Sequence, residues 1–475
     1  MEKSKNLADT VIYDRKNSTD SLAYVESAKK VDTPKQVLSV TDAIVVIVGI
    51  VVGAGIFRTP SIVASNTGSW ELFLTVWFVG GIVSLIGAMC YAELATTFPN
   101  TGGDYHFLHR AFGRRFAFLF AWARMSIIQT GSIALLAFIV GDYMSELRSI
   151  GPYSSSIYAG GVVVTLTVVN IIGVRVGTAT QKFLVALQFV GLLILILTGV
   201  LMASPETSAE VIPVQEADGT SPAIGVALIM VLLTFGGWNE AGYISAEMRG
   251  GSKKMARVMV ISILLITGIY LLINLAYLYV LGIDGMARSE AVAVDVMRVA
   301  MGERGAVFIG LLVILAALTS TNATIFTGAQ TNHALGRDLP AFSFMGRWTA
   351  ATSTPVNALL VQGVVATALI IVGSFARSGF QSMVDFTAPI FWFFIFCTGL
   401  ALFVLRYKEP RVHRPFKVPL YPILPLIFCI SSVYLLYSSL LFAGRGTWLA
   451  IGILLLGTVF FLFEKKLSRP EQNLK

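Results

Sequence analysis

Long apolar segments alternate with short polar ones along most of this chain. A helix that crosses a bilayer needs about 20 mainly apolar residues, whereas a membrane strand needs about ten residues of weakly alternating character. The apolar segments are long and continuous, so the pattern predicts an all-α integral membrane protein with about twelve transmembrane helices. These segments lie at residues 41–66, 70–97, 115–146, 155–173, 178–203, 221–247, 256–283, 305–334, 356–373, 382–405, 418–442 and 446–464.

The charged residues indicate how the chain is oriented. They make up 13% of the sequence, against about 25% in soluble proteins. Of the 35 Lys and Arg, 27 lie in the tails and loops on the side of the N-terminus, and 6 lie in the opposite loops. Cytoplasmic loops collect positive charge, which predicts a multi-pass protein of the cell (inner) membrane with both termini cytoplasmic. Membrane topology also explains the net charge of +8 better than nucleic-acid binding does.

The remaining segments contain few candidates for chemistry. Residues 1–39 and 465–475 are polar and are predicted to be cytoplasmic tails, the first without the apolar region of a signal peptide. The three cysteines lie within apolar segments, and the four histidines form no metal-ligand motif. No GxxxxGK[ST] loop for a nucleotide is present. The sequence therefore predicts no metal site, no organic cofactor and no enzymatic activity.

Two glycine-rich interruptions stand out inside the apolar segments. In the first segment about a dozen apolar residues precede Gly53-Ala54-Gly55, which places the glycines roughly 18 Å into the bilayer, near its middle. In the sixth segment an apolar run from Ile224 to Phe235 meets Gly236-Gly237-Trp238-Asn239. Glycine destabilises a helix interior, and unwound backbone at this depth is tolerated only inside a protein or beside a water-filled cavity.

These two breaks suit a zwitterionic ligand. The half-helix after a break offers free N–H groups and a positive dipole end, which suit a carboxylate, and the half-helix before it offers carbonyls, which suit an ammonium group. The alternative interpretation is ordinary close packing of small residues between membrane helices. Paired interruptions at similar depth in the two halves of a chain favour a transport site.

Several motifs resemble those of the amino acid–polyamine–organocation superfamily, and most closely those of the L-type amino acid transporters and their bacterial relatives. They extend over most of residues 40–465. The motifs are Gly53-Ala54-Gly55-Ile56-Phe57, Tyr91-Ala92-Glu93-Leu94, Gly102-Gly103-Asp104-Tyr105, Phe235-Gly236-Gly237-Trp238-Asn239 and Gly336-Arg337-Asp338-Leu339-Pro340.

The resemblance implies an architecture and a function. It implies two inverted repeats of five helices, at residues 40–203 and 221–405, followed by two additional helices at 418–464, with the first and sixth helices broken. It also implies a secondary active transporter, a symporter or an exchanger, that moves amino acids by alternating access. The implied substrate-binding residues are Val52, Gly53, Ala54, Gly55 and Ile56 on the carboxylate side, and Phe235, Gly236, Gly237, Trp238, Asn239 and Glu240 on the amino side.

Three positions depart from the family pattern, and one of them is Glu240, which lies where relatives often have a tyrosine or a small residue. Leu233 lies where related transporters often carry an aromatic gate residue, so the gate would be smaller or Phe235 would take part of its role. Gln188 lies where many sodium-independent members carry a lysine that occupies the sodium site of coupled relatives. The coupling ion, Na⁺ or H⁺, is therefore left open.

Other polar residues inside the spans have two interpretations each. Glu240 either lines the pocket, where it would bind a side chain or a coupled proton, or only fixes helix packing. Arg124 is expected to form a structural ion pair or inner gate with Glu93 or Glu247. Arg58 either attracts anions or extends outward to water. Thr321 and Asn322, beside Ser320, either supply oxygens to a cation or bond between helices.

Two other functions are compatible with parts of the pattern. A membrane amino acid sensor would need a sizeable output domain, and the tails are short for one. A polyamine or organic-amine transporter would share the fold. The sequence names neither the amino acid nor a partner subunit.

Substitution of Glu240 by Gln distinguishes the two interpretations of that residue. If the carboxylate lines the pocket, we expect the variant to change side-chain preference or the pH dependence of uptake, because it replaces a titratable acid beside the substrate with a neutral amide. Uptake of several amino acids would be measured across a pH series in reconstituted vesicles. Unchanged preference and unchanged pH dependence would support the packing role.

Overall fold

A computed structural model of the chain describes residues 40–100, 102–172, 174–202, 224–240, 253–338, 342–349, 354–376, 378–441 and 444–467. The predicted tail at 1–39, most of the tail at 465–475 and the second half of the sixth segment lie outside these residues. Within them the chain is built from helices, with one isolated antiparallel bridge between Thr349 and Thr354.

The helices in chain order are α1 Val40–Val51, α2 Gly55–Thr67, α3 Trp70–Thr97, α4 Asp104–Phe112, α5 Arg114–Ala123, α6 Gln129–Leu147, α7 Ser154–Ile172, α8 Val174–Met202, α9 Ile224–Thr234, α10 Lys253–Arg288, α11 Val292–Asp338, α12 Val356–Gly373, α13 Gly379–Lys408, α14 Ile423–Leu441 and α15 Arg445–Leu467. A π-helical turn, Arg124–Ile128, joins α5 to α6. A 3₁₀ turn, Trp238–Glu240, follows α9.

These helices account for each of the twelve predicted segments, the sixth in its described half. The described part of the chain has eight helices that are long and apolar enough to cross a membrane, and it also has shorter apolar ones. The first segment is divided between α1 and α2, as the glycines predict. The boundaries differ where glycine bends a helix, because α10 and α11 continue through bends at Gly282 and Gly302, which adopt φ of 65° and 71°. The short helix α4 was not predicted.

Burial separates central helices from peripheral ones. In the most apolar stretch of the helix pair α5–α6, 83% of the residues are buried inside the protein. In the corresponding stretch of α7 the share is 17%. Exposed apolar side chains such as Ile157, Val164 and Val168 on α7 therefore face lipid. The residues that follow the π-helical turn consequently lie at the centre of the bundle.

Contacts between helices fit two halves of five spans. Helix α2 packs on α9, α3 on α10, α6 on α11 and α7 on α12, so four spans of the first half each contact the span five places later. This pairing is expected when two repeats are related by a pseudo-twofold axis in the membrane plane. The exact domain limits remain predictions.

A buried ion cluster joins α3 to α13 near their predicted cytoplasmic ends. Glu93, 1% exposed, accepts hydrogen bonds from Arg406 Nε at 2.7 Å and Nη2 at 2.5 Å. The Nε of Arg414 lies 3.5 Å away, and the backbone N–H of Val418 donates to the same carboxylate at 2.7 Å. Arg406, rather than the expected Arg124, is therefore the described bidentate partner of Glu93, and Glu247 lies outside the described residues.

Removing this buried charge has a predictable cost. We expect Glu93→Gln to lower the free energy of unfolding by about 3–5 kcal/mol, because it leaves buried guanidinium groups uncompensated. The matched control is Glu409→Gln, which removes one partner of a partly exposed pair with Arg110 and should cost about 1 kcal/mol or less. Both would be measured by titrating mixed micelles with a denaturing detergent. Equal losses in the two variants would contradict the burial argument.

Candidate functional site

The two breaks lie against each other at the centre of the bundle. Helix α1 ends at Val51, and α2 begins at Gly55. A Cβ atom on Gly55 would lie 3.2 Å from both Cγ2 and Oγ1 of Thr234, the last residue of α9. Three residues further, Gly237 has a φ of 109°, which favours glycine. The end of α1, the start of α2 and the end of α9 therefore meet at one place.

Side chains from neighbouring helices bond the backbone at the breaks. The hydroxyl of Tyr270, on α10, lies 2.8 Å from the carbonyl of Val51 and 3.1 Å from the carbonyl of Thr234. A hydroxyl has one proton, so it donates fully to one of these carbonyls at a time. The hydroxyl of Thr234 lies 2.8 Å from that of Thr59 on α2. Tyr270 and Thr59 thus connect the first break to the second.

Gln188 approaches the first break from α8. The side chain is buried, and its amide Nε2 donates to the carbonyl of Val52. Its Oε1 atom is buried without a hydrogen-bond partner among the described residues. Gln188, which the sequence indicates as a coupling position, therefore contacts the unwound backbone directly.

A cavity of about 240 Å³ opens beside the two breaks. The residues predicted for the site that line this cavity are Gly53, Gly55, Arg124, Leu233, Gly236, Gly237 and Asn239. The four glycines have no side chain, so they present backbone atoms to the cavity. The other wall comes from α6, α11 and α13, so the cavity lies between the broken helices and the most buried spans.

The helix ends give this cavity opposite polarities. The first N–H groups of α2 have no acceptor within their own helix, and its N-cap residue, Ala54, supplies no side-chain cap. Together with the positive dipole end they suit a carboxylate. The carbonyls at the end of α9 suit an ammonium group, as do those around Gly236. Backbone alone can therefore hold both charged groups of an amino acid.

Two aromatic residues predicted for the site point away from the cavity. Phe235 is fully buried, and its ring packs against Tyr270 at 4.9 Å and Trp77 at 6.2 Å between ring centroids. Trp238 packs edge-on against Tyr91 at 5.1 Å. The expectation that Phe235 takes part of a gate role does not match this position, because its ring fills the space between α3 and α10. Leu233 lines the cavity instead.

The remaining predicted residues flank the site. Val52, Ala54 and Ile56 are buried beside the first break. Thr321 donates to the carbonyl of Ala317 within α11 at 2.7 Å, and Asn322 accepts from Asn170 of α7 at 2.7 Å. The contact between Asn170 and Asn322 is the hydrogen bond between helices that was the alternative to cation binding. The side chain of Glu240 lies outside what the structure describes.

Several cavity-lining residues escaped the sequence analysis of the site. Gln129, immediately after the π-helical turn, donates to the carbonyl of Thr324 at 2.8 Å and to the hydroxyl of Thr327 at 3.1 Å. Asp104 at the start of α4 accepts from Thr398 at 3.3 Å. Asp104 could have been assigned to the cavity from the Gly102-Gly103-Asp104-Tyr105 motif. Gln129 could not, because the π-helical turn before it has no hydropathy pattern of its own.

Arg58 makes contacts within the protein. Its Nη1 donates to the carbonyl of Glu290, and its Nη2 lies 3.9 Å from Oδ2 of Asp142. Tyr143 donates to the carbonyl of Phe57 at 3.2 Å. These contacts hold the start of α2 to α6 and to the turn before α11, so of the two interpretations of Arg58 the structure does not match extension into water.

The fold and the paired breaks are those of a membrane transporter. A family model described as amino acid permease matches residues 38–461, and the chain belongs to this family. It is 28% identical to the human b(0,+)-type amino acid transporter 1, over 96% of this chain and 95% of the relative. It is 30% identical to the mouse large neutral amino acids transporter small subunit 2, over 90% and 81%, and 28% identical to the mouse Asc-type amino acid transporter 1, over 92% and 83%. The chain is an amino acid transporter and not an enzyme.

The first break provides a direct test of the site. We expect Gly55→Leu to reduce uptake to about a tenth or less, a loss of at least about 1.4 kcal/mol in binding, because the side chain would meet Thr234 and fill the carboxylate position. The matched control is Gly452→Leu on α15, where nothing lies within 4 Å of an added Cβ. Uptake of labelled amino acid and the amount of folded protein in the membrane would be measured together. Normal uptake by Gly55→Leu would contradict this assignment.

Proposed function

We propose that this protein is a secondary active transporter that carries a neutral amino acid across the cell (inner) membrane by alternating access. The observation that carries the proposal is that glycines of both broken helices line the same cavity of about 240 Å³. A carboxylate bound at the start of α2 and an ammonium group bound at the end of α9 would place the side chain of the substrate toward α6 and α11.

The lining of the cavity supports a neutral side chain. Leu135, Leu136, Ile139 and Leu233 make part of the wall apolar. Among the described lining residues Asp104 is the single carboxylate, whereas a polyamine would need anionic groups for at least two separated amines. The name of the mouse relative, which specifies large neutral amino acids, points the same way.

Gln188 supports transport that does not depend on sodium. Its amide N–H donates to the carbonyl of Val52, which leaves this oxygen at the first break with one lone pair fewer for a cation. A neutral amide cannot release a proton at physiological pH, so Gln188 itself carries no coupled proton. Any coupling to protons would have to use another group, such as Glu240.

The orientation follows from the distribution of positive charge. With both termini cytoplasmic, the ion cluster around Glu93 lies at the cytoplasmic side and the contacts of Arg58 lie at the outer side. The phrase "small subunit" in the name of one relative raises the question of a partner chain. Reconstitution of the purified chain by itself addresses this question.

The deciding experiment is uptake by proteoliposomes that contain only this chain. We expect accumulation of a labelled neutral amino acid that is unchanged when a sodium gradient is imposed, because the amide of Gln188 occupies the first-break carbonyl. Vesicles preloaded with unlabelled amino acid, compared with empty ones, separate exchange from net uptake. The Gly55→Leu protein provides the inactive control.

Three outcomes would contradict parts of the proposal. Binding of amino acids without any uptake would indicate a sensor. Accumulation driven by sodium would overturn the role given to Gln188, and uptake restricted to polyamines would overturn the substrate class.

A further inference from the structure

A short basic segment joins α13 to α14 on the predicted cytoplasmic side. Residues 406–422, called the strap here, contain five Lys and Arg and one acidic residue, Glu409. The strap begins in the last turn of one membrane span and ends where the next begins. It is therefore held at the membrane surface by both ends.

The inner side of the strap is fixed to the protein. Arg406 and Arg414 point inward to Glu93, and the N–H of Val418 bonds the same carboxylate. The Nη2 atom of Arg414 also donates to the carbonyls of Leu405 and Glu409, both at 3.1 Å. The backbone of the strap is consequently preorganised, and its outward side chains start from fixed positions.

Two basic side chains of the strap point outward. Arg411 and Lys417 are exposed, and neither forms an ion pair within the described part of the chain. The last turn of α4 lies against the strap, since Lys408 Nζ donates to the carbonyl of Ala111 at 2.8 Å. Four residues further along the chain, in the first turn of α5, Arg115 is a third exposed cation.

The one acidic residue of the strap does not cancel this charge. Glu409 accepts two hydrogen bonds of 2.7 Å from Arg110, so its charge is already matched. The hydrogen bond from Arg110 lowers the pKa of Glu409, which keeps the pair ionised at neutral pH. The surface formed by Arg411, Lys417 and Arg115 is thus left with a positive field.

Apolar side chains place this surface at the level of lipid headgroups. Tyr407 is 88% exposed and Leu420 is 69% exposed, and both lie at the ends of membrane spans. Tyrosine is typical of the interface between the hydrocarbon region and water. Cations beside such residues lie next to the phosphates of the cytoplasmic leaflet, which attract each Lys or Arg by about a fivefold gain in binding.

We propose that the strap surface, with Arg411 and Lys417 as its main cations and Arg115 beside them, binds the phosphate headgroup of an anionic phospholipid in the cytoplasmic leaflet. Two features support a built site rather than a diffuse charge. The strap is fixed from within by Glu93, and interfacial Tyr407 and Leu420 lie on the same segment.

The test compares lipid retention by the purified full chain. The protein in detergent would receive phosphatidylglycerol and phosphatidylcholine with identical acyl chains, and bound lipid would be counted by native mass spectrometry. We expect the anionic lipid to be retained in preference, and Arg411→Gln/Lys417→Gln to reduce that preference by about fivefold or more for each cation removed. The matched control is Arg148→Gln/Arg304→Gln, which removes two exposed arginines from the opposite surface.

Each alternative result is informative because the control has the same change in net charge. Equal retention of the two lipids by the native chain, or equal loss of preference in the two double variants, would overturn the proposal. Competition by inorganic phosphate at low concentration would assign the surface to a soluble phosphate compound and would also overturn it. Gel filtration and the unfolding midpoint would verify that both variants are folded.

Discussion

Every backbone N–H and C=O group inside a bilayer must find a partner within the protein, because lipid offers none and an unsatisfied group costs several kcal/mol. The two helix breaks violate this constraint at the depth where it is strongest. Their glycines leave the start of α2 and the end of α9 without the bonds of a continuous helix. The structure tolerates the breaks because they face each other and a cavity inside the protein instead of lipid. In the proposed function, the backbone groups left open by interrupting the two helices are the ones that bind the charged groups of the substrate.

The surrounding helices compensate for only part of this loss. Tyr270 has a single proton to donate to the carbonyls at the ends of α1 and α9, and the amide of Gln188 donates to the carbonyl of Val52. These partners lie on the sides of the breaks, whereas the glycines face the cavity. The groups left open are those that a substrate can reach. A bound amino acid would therefore complete the hydrogen bonding of the two breaks, and binding and local backbone stability would be linked.

Hydropathy and glycine placement predicted the twelve spans and both breaks, because the bilayer imposes these features on the sequence directly. Gly53, Gly55, Gly236 and Gly237 could be assigned to the site for the same reason. The direction of the Phe235 ring could not be predicted, since it depends on the space between Trp77 and Tyr270. The π-helical turn before Gln129 and the pairing of Glu93 with Arg406 are equally products of packing between distant segments. The sequence thus predicted the backbone segments that line the cavity, but few of the side chains that complete its wall.

The strengths of the contacts indicate which parts of the protein move together. A hydrogen bond such as that between Tyr270 and Val51 contributes about 0.5–1.5 kcal/mol, whereas removal of one partner from a buried ion pair costs about 3–5 kcal/mol. The cluster around Glu93 joins α3, α13 and the strap by several charged contacts. At the breaks themselves, the broken helices are joined to their neighbours by single neutral hydrogen bonds, and among the described residues the charged contacts of α2 are confined to Arg58, whose Nη2 lies 3.9 Å from Asp142. During alternating access we therefore expect α3 and α13 to move as one body, while α2 and α9 change their contacts around the substrate.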